Sequence, residues 1–326
     1  MTPTARSRRP PARRPPAPRT EIAAVPLRGT SATHPEIGLG LWNRGRWTAA
    51  SEGETTSTIE WALDQGMRWF DTAEVYGAGR SERILGEVLE RRPGDRRASL
   101  IVSKVSWEHL RAAQVRAAIQ GTLERIALPS IDLYLVHAPD DRVPIAETMG
   151  VLAELADQKR IGAVGVSNFT LPQLEEAEAA LAPHAVVVNQ VRYNLLERED
   201  GDPLREHCRA KGIWIEAYSP LAHGLLAGRY LADGEIPAAA RRGVRRFDPE
   251  HLEATLARAR ALDALAKKAH IPLASLALHW LRRQGALPLF GATQPTQIDA
   301  NLSAWATSVP EDVLEAADAL TRDERA

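Results

Sequence analysis

Four side chains able to titrate or to hydrogen-bond strongly stand at or just past the ends of three consecutive apolar runs. Asp71 closes Phe70-Asp71-Thr72 with Tyr76 five residues beyond it, Lys104 falls in Val102-Ser103-Lys104-Val105, and His137 closes Leu135-Val136-His137. A carboxylate, a phenol, an ammonium and an imidazole in one small volume can move protons to and from a substrate. A lysine amine can also attack a carbonyl and form a Schiff base. Taken singly, each residue has an ordinary alternative: Asp71 as a helix cap, Tyr76 as a loop aromatic, Lys104 as a surface lysine, His137 as a hydrogen-bonded core histidine. Together they are harder to dismiss, because burying Lys104 without an acid would cost several kcal/mol and Asp71 is placed to be that acid.

The elements that must bring them together are short apolar runs alternating with amphipathic stretches. Strands are expected at Ile37 to Trp42, Trp69 to Thr72, Leu100 to Val105, Ile131 to His137, Ala163 to Asn168, Val186 to Val191, Ile213 to Tyr218 and Leu287 to Gly291. Their Val, Ile, Leu and aromatic content suits strands buried on both faces. Helical spacing marks Glu54 to Gln65, Ser81 to Arg91, Ala112 to Ile126, Ile145 to Asp157, Leu171 to Leu181, Pro203 to Lys211, His251 to Ala269 and Ser275 to Arg283. Ser81 before Glu82, Thr170 before Pro172 and Gly212 after Lys211 read as caps. Eight alternations match a (β/α)8 TIM barrel, an α/β fold that closes on itself, better than an open sheet with two edges. Such a barrel carries its active site at the C-terminal ends of its strands, where Asp71, Lys104 and His137 fall. The stretch from Ala222 to Pro249 is too long for an ordinary connection, and Gly224, Gly228, Gly234 and Gly243 give it freedom to move.

Composition narrows the classes. The chain has 326 residues, 41 Lys+Arg against 42 Asp+Glu, and 44% hydrophobic residues, as a soluble globular protein does. No apolar stretch nears the ~18 residues that span a bilayer, and the start lacks the apolar core of a secretory signal, so no membrane association and a cytoplasmic location are expected. The single cysteine, Cys208, leaves no disulfide or structural zinc site, and no metal is expected. Six arginines and six prolines crowd the first twenty residues without one acid. Residues 1–24 are therefore expected to be a disordered, dispensable tail, with a single barrel domain over residues 25–326. The remaining body is net acidic and has no basic stripe, which argues against a nucleic-acid partner. Oligomeric state is not legible.

Phe70-Asp71-Thr72-Ala73-Glu74-Val75-Tyr76-Gly77, Ser103-Lys104, Asp132 to His137, Gly165 to Phe169 and Ala217 to Leu221 resemble, in order, motifs of the aldo-keto reductase family. The resemblance runs from about Gly38 to Asn301, and within the family is most similar to bacterial reductases near the potassium-channel β subunits. It implies an NAD(P)H-dependent oxidoreductase that reduces a small-molecule aldehyde or ketone, with Asp71, Tyr76, Lys104 and His137 as its catalytic tetrad. Tyr76 would donate the proton, Lys104 held by Asp71 would ease its release, and a neutral His137 would orient the carbonyl.

The same resemblance implies a nicotinamide site with Gly40, Leu41, Trp42 and Asp71 beside the ring and Ser167, Asn168 and Gln190 on the carboxamide. Tyr218 would stack on the ring, Ser219, Pro220 and Leu221 would lie along the pyrophosphate, and Gly291, Ala292, Thr293, Gln297 and Asn301 would hold the adenosine end. Helix capping by Ser167 and Asn168, and a plug at the barrel mouth for Tyr218, are the plain alternatives. Substrate would meet Trp42, Tyr76, Trp107, His137 and Ala138, although either tryptophan could be a core aromatic. Many relatives carry tryptophan where Ala138 stands, so a wider pocket is expected. Residues 291–301 contain no Lys or Arg, so NADPH is expected on family grounds with NADH possible. Two other readings stay open: a non-catalytic, cofactor-binding regulatory subunit, and an aldolase-like barrel with Lys104 as Schiff-base nucleophile.

Overall fold

The computed structural model describes residues 21–43, 47–232, 235–237 and 244–322. Two short strands, β1 (Ala24–Pro26) and β2 (Thr33–Pro35), form an antiparallel hairpin ahead of the barrel. Parallel strands β3 (Gly38–Gly40), β4 (Trp69–Asp71), β5 (Leu100–Val105), β6 (Ile131–Val136), β7 (Ile161–Ser167), β8 (Val186–Arg192), β9 (Trp214–Tyr218) and β10 (Ala286–Gly291) follow. Each pairs with the next, and β10 pairs with both β9 and β3, closing the barrel.

Between the strands run α1 (Ala49–Asp64), α2 (Arg80–Glu90), α3 (Pro93–Ala98), α4 (Ala112–Ile126), α5 (Ile145–Asp157), α6 (Leu171–Leu181), α7 (Arg205–Lys211), α8 (Pro249–Lys268) and α9 (Leu273–Arg283). Helices α10 (Pro295–Ala306) and α11 (Glu311–Thr321) end the described chain. No helix among the described residues is long and apolar enough to cross a membrane.

The period of two along each strand sorts side chains between two apolar layers. Phe70, Ile101, Tyr134, Val136, Val164, Val166, Ile215 and Phe290 face outward under the helices. Trp69, Val102, Leu133, Leu135, Ala163, Val188, Leu287 and Leu289 fill the barrel interior together with Leu27 of the hairpin. Close packing there demands two glycines. A Cβ at Gly38 would lie 2.1 Å from the Trp69 ring, and one at Gly165 would lie 2.4 Å from Leu135 Cδ2. The hairpin shuts the N-terminal end, where Trp214 Nε1 donates to Pro26 O at 2.9 Å and the His34 ring meets Trp69 edge-on at 4.2 Å.

Several expected boundaries move. Helix α1 starts at Ala49 instead of Glu54 because Thr48 caps it, accepting from the Ser51 N–H at 3.3 Å. Ser81 is not a cap: α2 begins one residue earlier, and the Ser81 hydroxyl instead accepts from Thr72 and donates to Leu41 O. Thr170 does start α6, its N–H donating to Gln173 Oε1 at 3.0 Å, and Gly212 ends α7 in the left-handed region at φ 67°. Ala24, assigned to the tail, pairs with Pro35; the Arg/Pro-rich residues 1–20 lie outside the described residues, as do Gly234, Gly243, Arg241 and Arg242 of the long loop. That loop forms short 3-10 turns at Ala222–Ala227 and Arg245–Phe247.

Candidate active site

Register brings the site together before any side chain is considered. Gly40 pairs with Asp71 on one side and Gly291 on the other, and the Leu41 N–H donates to Asp71 O at 2.9 Å. The ends of β3, β4 and β10 therefore meet at one rim. Asp71, Lys104, Gln190 and Tyr218 share the inward parity of Trp69, Val102, Val188 and Trp214, so they converge at the barrel mouth.

Asp71 and Lys104 are 1% and 0% exposed, too buried for either charge to stand alone. Lys104 Nζ donates to Asp71 Oδ1 at 2.5 Å, to Thr72 O at 3.0 Å and to Tyr76 Oη at 3.4 Å, which accounts for all three ammonium protons. Burial opposes the charge on Lys104, yet Asp71 and the other facing groups hold its pKa above the ordinary lysine value. Full enclosure with all three protons engaged leaves this amine no open path to a carbonyl, which counts against the aldolase-like reading.

The Tyr76 ring lies edge-on to His137, with centroids 5.6 Å apart. Its hydroxyl accepts from Lys104 and has no acceptor among the described residues for its own proton. Burial pushes the phenol up to about 12 while Lys104 pulls it back. The lysine therefore only limits the rise; it does not bring the phenol below its free value. Burial and the Lys104 charge hold His137 down to about 3, so the imidazole is neutral near pH 7. His137 Nδ1 is buried with no hydrogen-bond partner among the described residues. The Tyr76 hydroxyl and the His137 ring thus stand side by side on one rim, where a single polar oxygen can meet both.

Walls and supports follow. Trp107 is half exposed and meets His137 edge-on at 5.5 Å, with Ala138 partly buried next in sequence. Glu74 Oε1 accepts from the Ser106 N–H at 2.6 Å and contacts His109 Nδ1 at 3.0 Å, pinning the turn that carries Trp107 against the Tyr76 loop. Trp42 follows β3 on the same rim and is half exposed.

On the far side of the mouth, Ser167, Asn168, Gln190 and Tyr218 share one hydrogen-bonded set. Tyr218 donates to Asn168 Oδ1 at 3.0 Å, and Asn168 Nδ2 donates to His137 O at 2.9 Å and Ser167 Oγ at 3.1 Å. Ser167 in turn donates to Gln190 O at 2.8 Å. Asn168 and Ser219 both take positive φ, 59° and 55°. Pro220 is buried, Leu221 half-buried. At the remaining corner, Gln297 Oε1 accepts from the Thr293 N–H at 2.8 Å at the start of α10. Gly291 and Thr293 are exposed, Ala292 is partly buried and Asn301 is buried.

Three residues near the site escaped the sequence reading. Arg192, ending β8, carries its guanidinium 5.7 Å from the Tyr218 ring centroid. His34 and Glu216, both 0% exposed, extend the buried polar set toward the barrel floor. Glu216 left a signal: an acid at inward parity in Trp214-Ile215-Glu216-Ala217-Tyr218 must find a buried partner. Among the described residues no group of three or more His, Cys, Asp or Glu could hold a metal ion.

This ladder of groups fits a planar, amide-bearing cofactor ring. Tyr218 offers an aromatic face beside polar groups, and the helix start at Pro295 offers N–H groups to a phosphate. The family profile described as "Aldo/keto reductase family" matches residues 36–322. Aldo-keto reductase YhdN of Bacillus subtilis strain 168 is 34% identical over 292 residues, covering 82% of this chain and 85% of the relative. The NADH-specific methylglyoxal reductase of Escherichia coli K12 is 30% identical over 305 residues, covering 86% of this chain and 92% of the relative. Among solved structures, an aldo-keto reductase from Klebsiella pneumoniae in complex with NADPH superposes with a TM-score of 0.72 at 27% identity, covering 94% of this chain and 97% of that one.

Proposed function

Because the chain belongs to the aldo-keto reductase family, we propose that it reduces a small or medium aldehyde or ketone to the alcohol, with NADPH as the preferred reductant and NADH accepted. The observation that carries this reading is the enclosed Asp71–Lys104 pair, whose third ammonium proton reaches the phenol of Tyr76. A bound reduced nicotinamide supplies hydride to the carbonyl carbon. The protein's part is to receive the negative charge that then grows on oxygen.

Tyr76 is the proton donor in this reading. An alkoxide is a stronger base than a phenolate even for a phenol near 12, so transfer from Tyr76 runs downhill, and Lys104 stabilises the phenolate left behind. His137, neutral, donates a hydrogen bond that orients the carbonyl before transfer and shares its charge afterwards. Ser167, Asn168 and Gln190 hold the carboxamide, Tyr218 covers one ring face, and Trp42, Trp107 and Ala138 shape the substrate side. For the nucleotide, residues 291–301 contain no Lys or Arg to give NADPH a cation, so the preference rests on the family and on relatives of both kinds, one NADPH-complexed and one NADH-specific. A regulatory, non-catalytic role would not need a complete tetrad, and this chain carries all four side chains in contact range.

The test is a panel of aldehydes, ketones and sugar-derived carbonyls, following loss of reduced-nicotinamide absorbance. Turnover with at least one carbonyl class is expected. Tight cofactor binding with no turnover of any class would instead favour the regulatory subunit.

A further inference from the structure

Beneath the tetrad, a second buried ionic pair occupies a layer of the barrel that packing alone would fill with Leu or Val. Glu216 on β9 is 0% exposed and faces His34 on β2, also 0% exposed, with Oε1 and Nε2 2.8 Å apart. The other ring nitrogen, Nδ1, lies 2.8 Å from Pro35 O. A carbonyl can only accept, so Nδ1 carries a proton. The Nε2–Oε1 contact then needs a further proton between ring and carboxyl. Ring and carboxylate compensate one another, as their complete burial requires.

The remaining carboxyl oxygen points up the barrel. Glu216 Oε2 accepts from Gln190 Nε2 at 2.6 Å, and the same nitrogen donates to Asp71 Oδ2 at 2.9 Å. Asp71 Oδ1 holds Lys104. Five contacts thus run without a break from Pro35 at the floor to Lys104 below Tyr76. Gln190 Nε2 spends its two protons on Glu216 and Asp71, so neither the Asp71 carboxylate nor the Gln190 amide can rotate without breaking a link.

We infer that Glu216, clamped by His34, is a positioning residue for the Asp71–Lys104–Tyr76 unit and acts on it through Gln190. The inference rests on the reductase reading above. Glu216 also acts through space, since its charge favours the protonated form of Lys104 and disfavours ionisation of Asp71. The titratable groups facing this cluster are His34 from the hairpin, Asp71 and Tyr76 from β4 and its loop, Lys104 from β5, His137 from β6, and Tyr218 beside Glu216 on β9.

The experiment compares Glu216→Gln, His34→Gln and the double variant with the wild type. Glu216→Gln should lower kcat about 10-fold, within the range for a displaced acid-base group, with carbonyl KM nearly unchanged. The alkaline limb of its kcat profile should move to lower pH, because Lys104 loses a charge that favours its protonated form. The double variant, a neutral amide pair, should regain melting temperature and recover neither kcat nor the limb. Wild-type kcat and pH profile in Glu216→Gln or in the double variant would make the pair a structural plug and overturn the inference, as would loss of fold in all three.

A readout free of turnover separates this from the reductase reading. In the cofactor-free protein, Lys104→Met should lower the melting temperature less in the Glu216→Gln background than in the wild type, because the unpaired Asp71 then has one acid fewer beside it. Additive losses would overturn the inference. An active-site failure of the reductase reading would show separately, as a wild type that turns over no carbonyl while this coupling persists.

Discussion

Two sides of the barrel mouth are built on opposite plans. At the tetrad, every group grows from a strand or the turn next to it; Asp71 and Lys104 are buried, Tyr76 and His137 half-buried, and Lys104 Nζ alone touches Asp71, Thr72 and Tyr76. At the far corner, Gly291 ends β10 while Thr293 and Gln297 sit on the loop and helix start beyond it, largely exposed, with neutral side chains that hydrogen-bond one another. Strand ends fix atoms to within a bond length, which proton transfer demands; loops set which molecule is admitted. Substitutions on the two sides should therefore fail differently.

The largest effect is expected from Lys104→Met. It strands a buried Asp71 and should cost about 3–5 kcal/mol of stability together with roughly 100-fold or more in kcat. Thermal melts and steady-state kinetics read both, and a fully active, fully stable variant would break the contrast outright. Ala138→Trp comes next and acts by size. Bulky carbonyls should lose about 10- to 200-fold in kcat/KM while small aldehydes stay near wild type. An equal loss for both would place Ala138 outside the pocket.

Gln297→Arg should raise the NADPH-to-NADH affinity ratio by about 10-fold, the lower range of a charge-assisted hydrogen bond, because an exposed guanidinium is screened by solvent. Fluorescence titration of both cofactors at low and high salt checks it. An unchanged ratio would move the 2′-phosphate elsewhere, for which Arg192 and Arg229 are the first candidates.

The smallest effect concerns pH. His137 is held down to about 3, below the ordinary histidine value, so the folded state binds fewer protons than the unfolded chain between those values. Its share of stability is present at neutral pH and is lost as pH falls from about 6.5 toward 3. Melting temperature against pH should accordingly slope less steeply in His137→Asn, and kcat should show no limb near 6.5. A limb there, abolished by the substitution, would show the imidazole charging in the working enzyme.

The contrast also explains what the sequence discloses. Helices α4, α5 and α6 and strand β5 end where periodicity and local signals place them, because an inward or outward face repeats along each. The tetrad was legible for the same reason: parallel strands of a closed barrel put their last polar residues on one rim. The hairpin was not, since three-residue strands containing Pro26 and Pro35 carry no period to detect. His34 was invisible because its partner lies 182 residues away. Glu216 was visible as a charge in an apolar strand, but only the closed barrel tells which group it meets. That Lys104 pulls the Tyr76 phenol down was legible, since a sequence shows the neighbouring cation; the burial that lifts the phenol was not.

The central claim, that Tyr76 hands its proton to a carbonyl reduced at this rim, is tested most directly by Tyr76→Phe. The substitution deletes the hydroxyl and keeps the ring that packs beside His137. Turnover of the best carbonyl found in the panel should fall roughly 100-fold or more while NADPH affinity, read by fluorescence titration, stays at the wild-type value. Near-wild-type turnover at unchanged NADPH affinity would contradict the account.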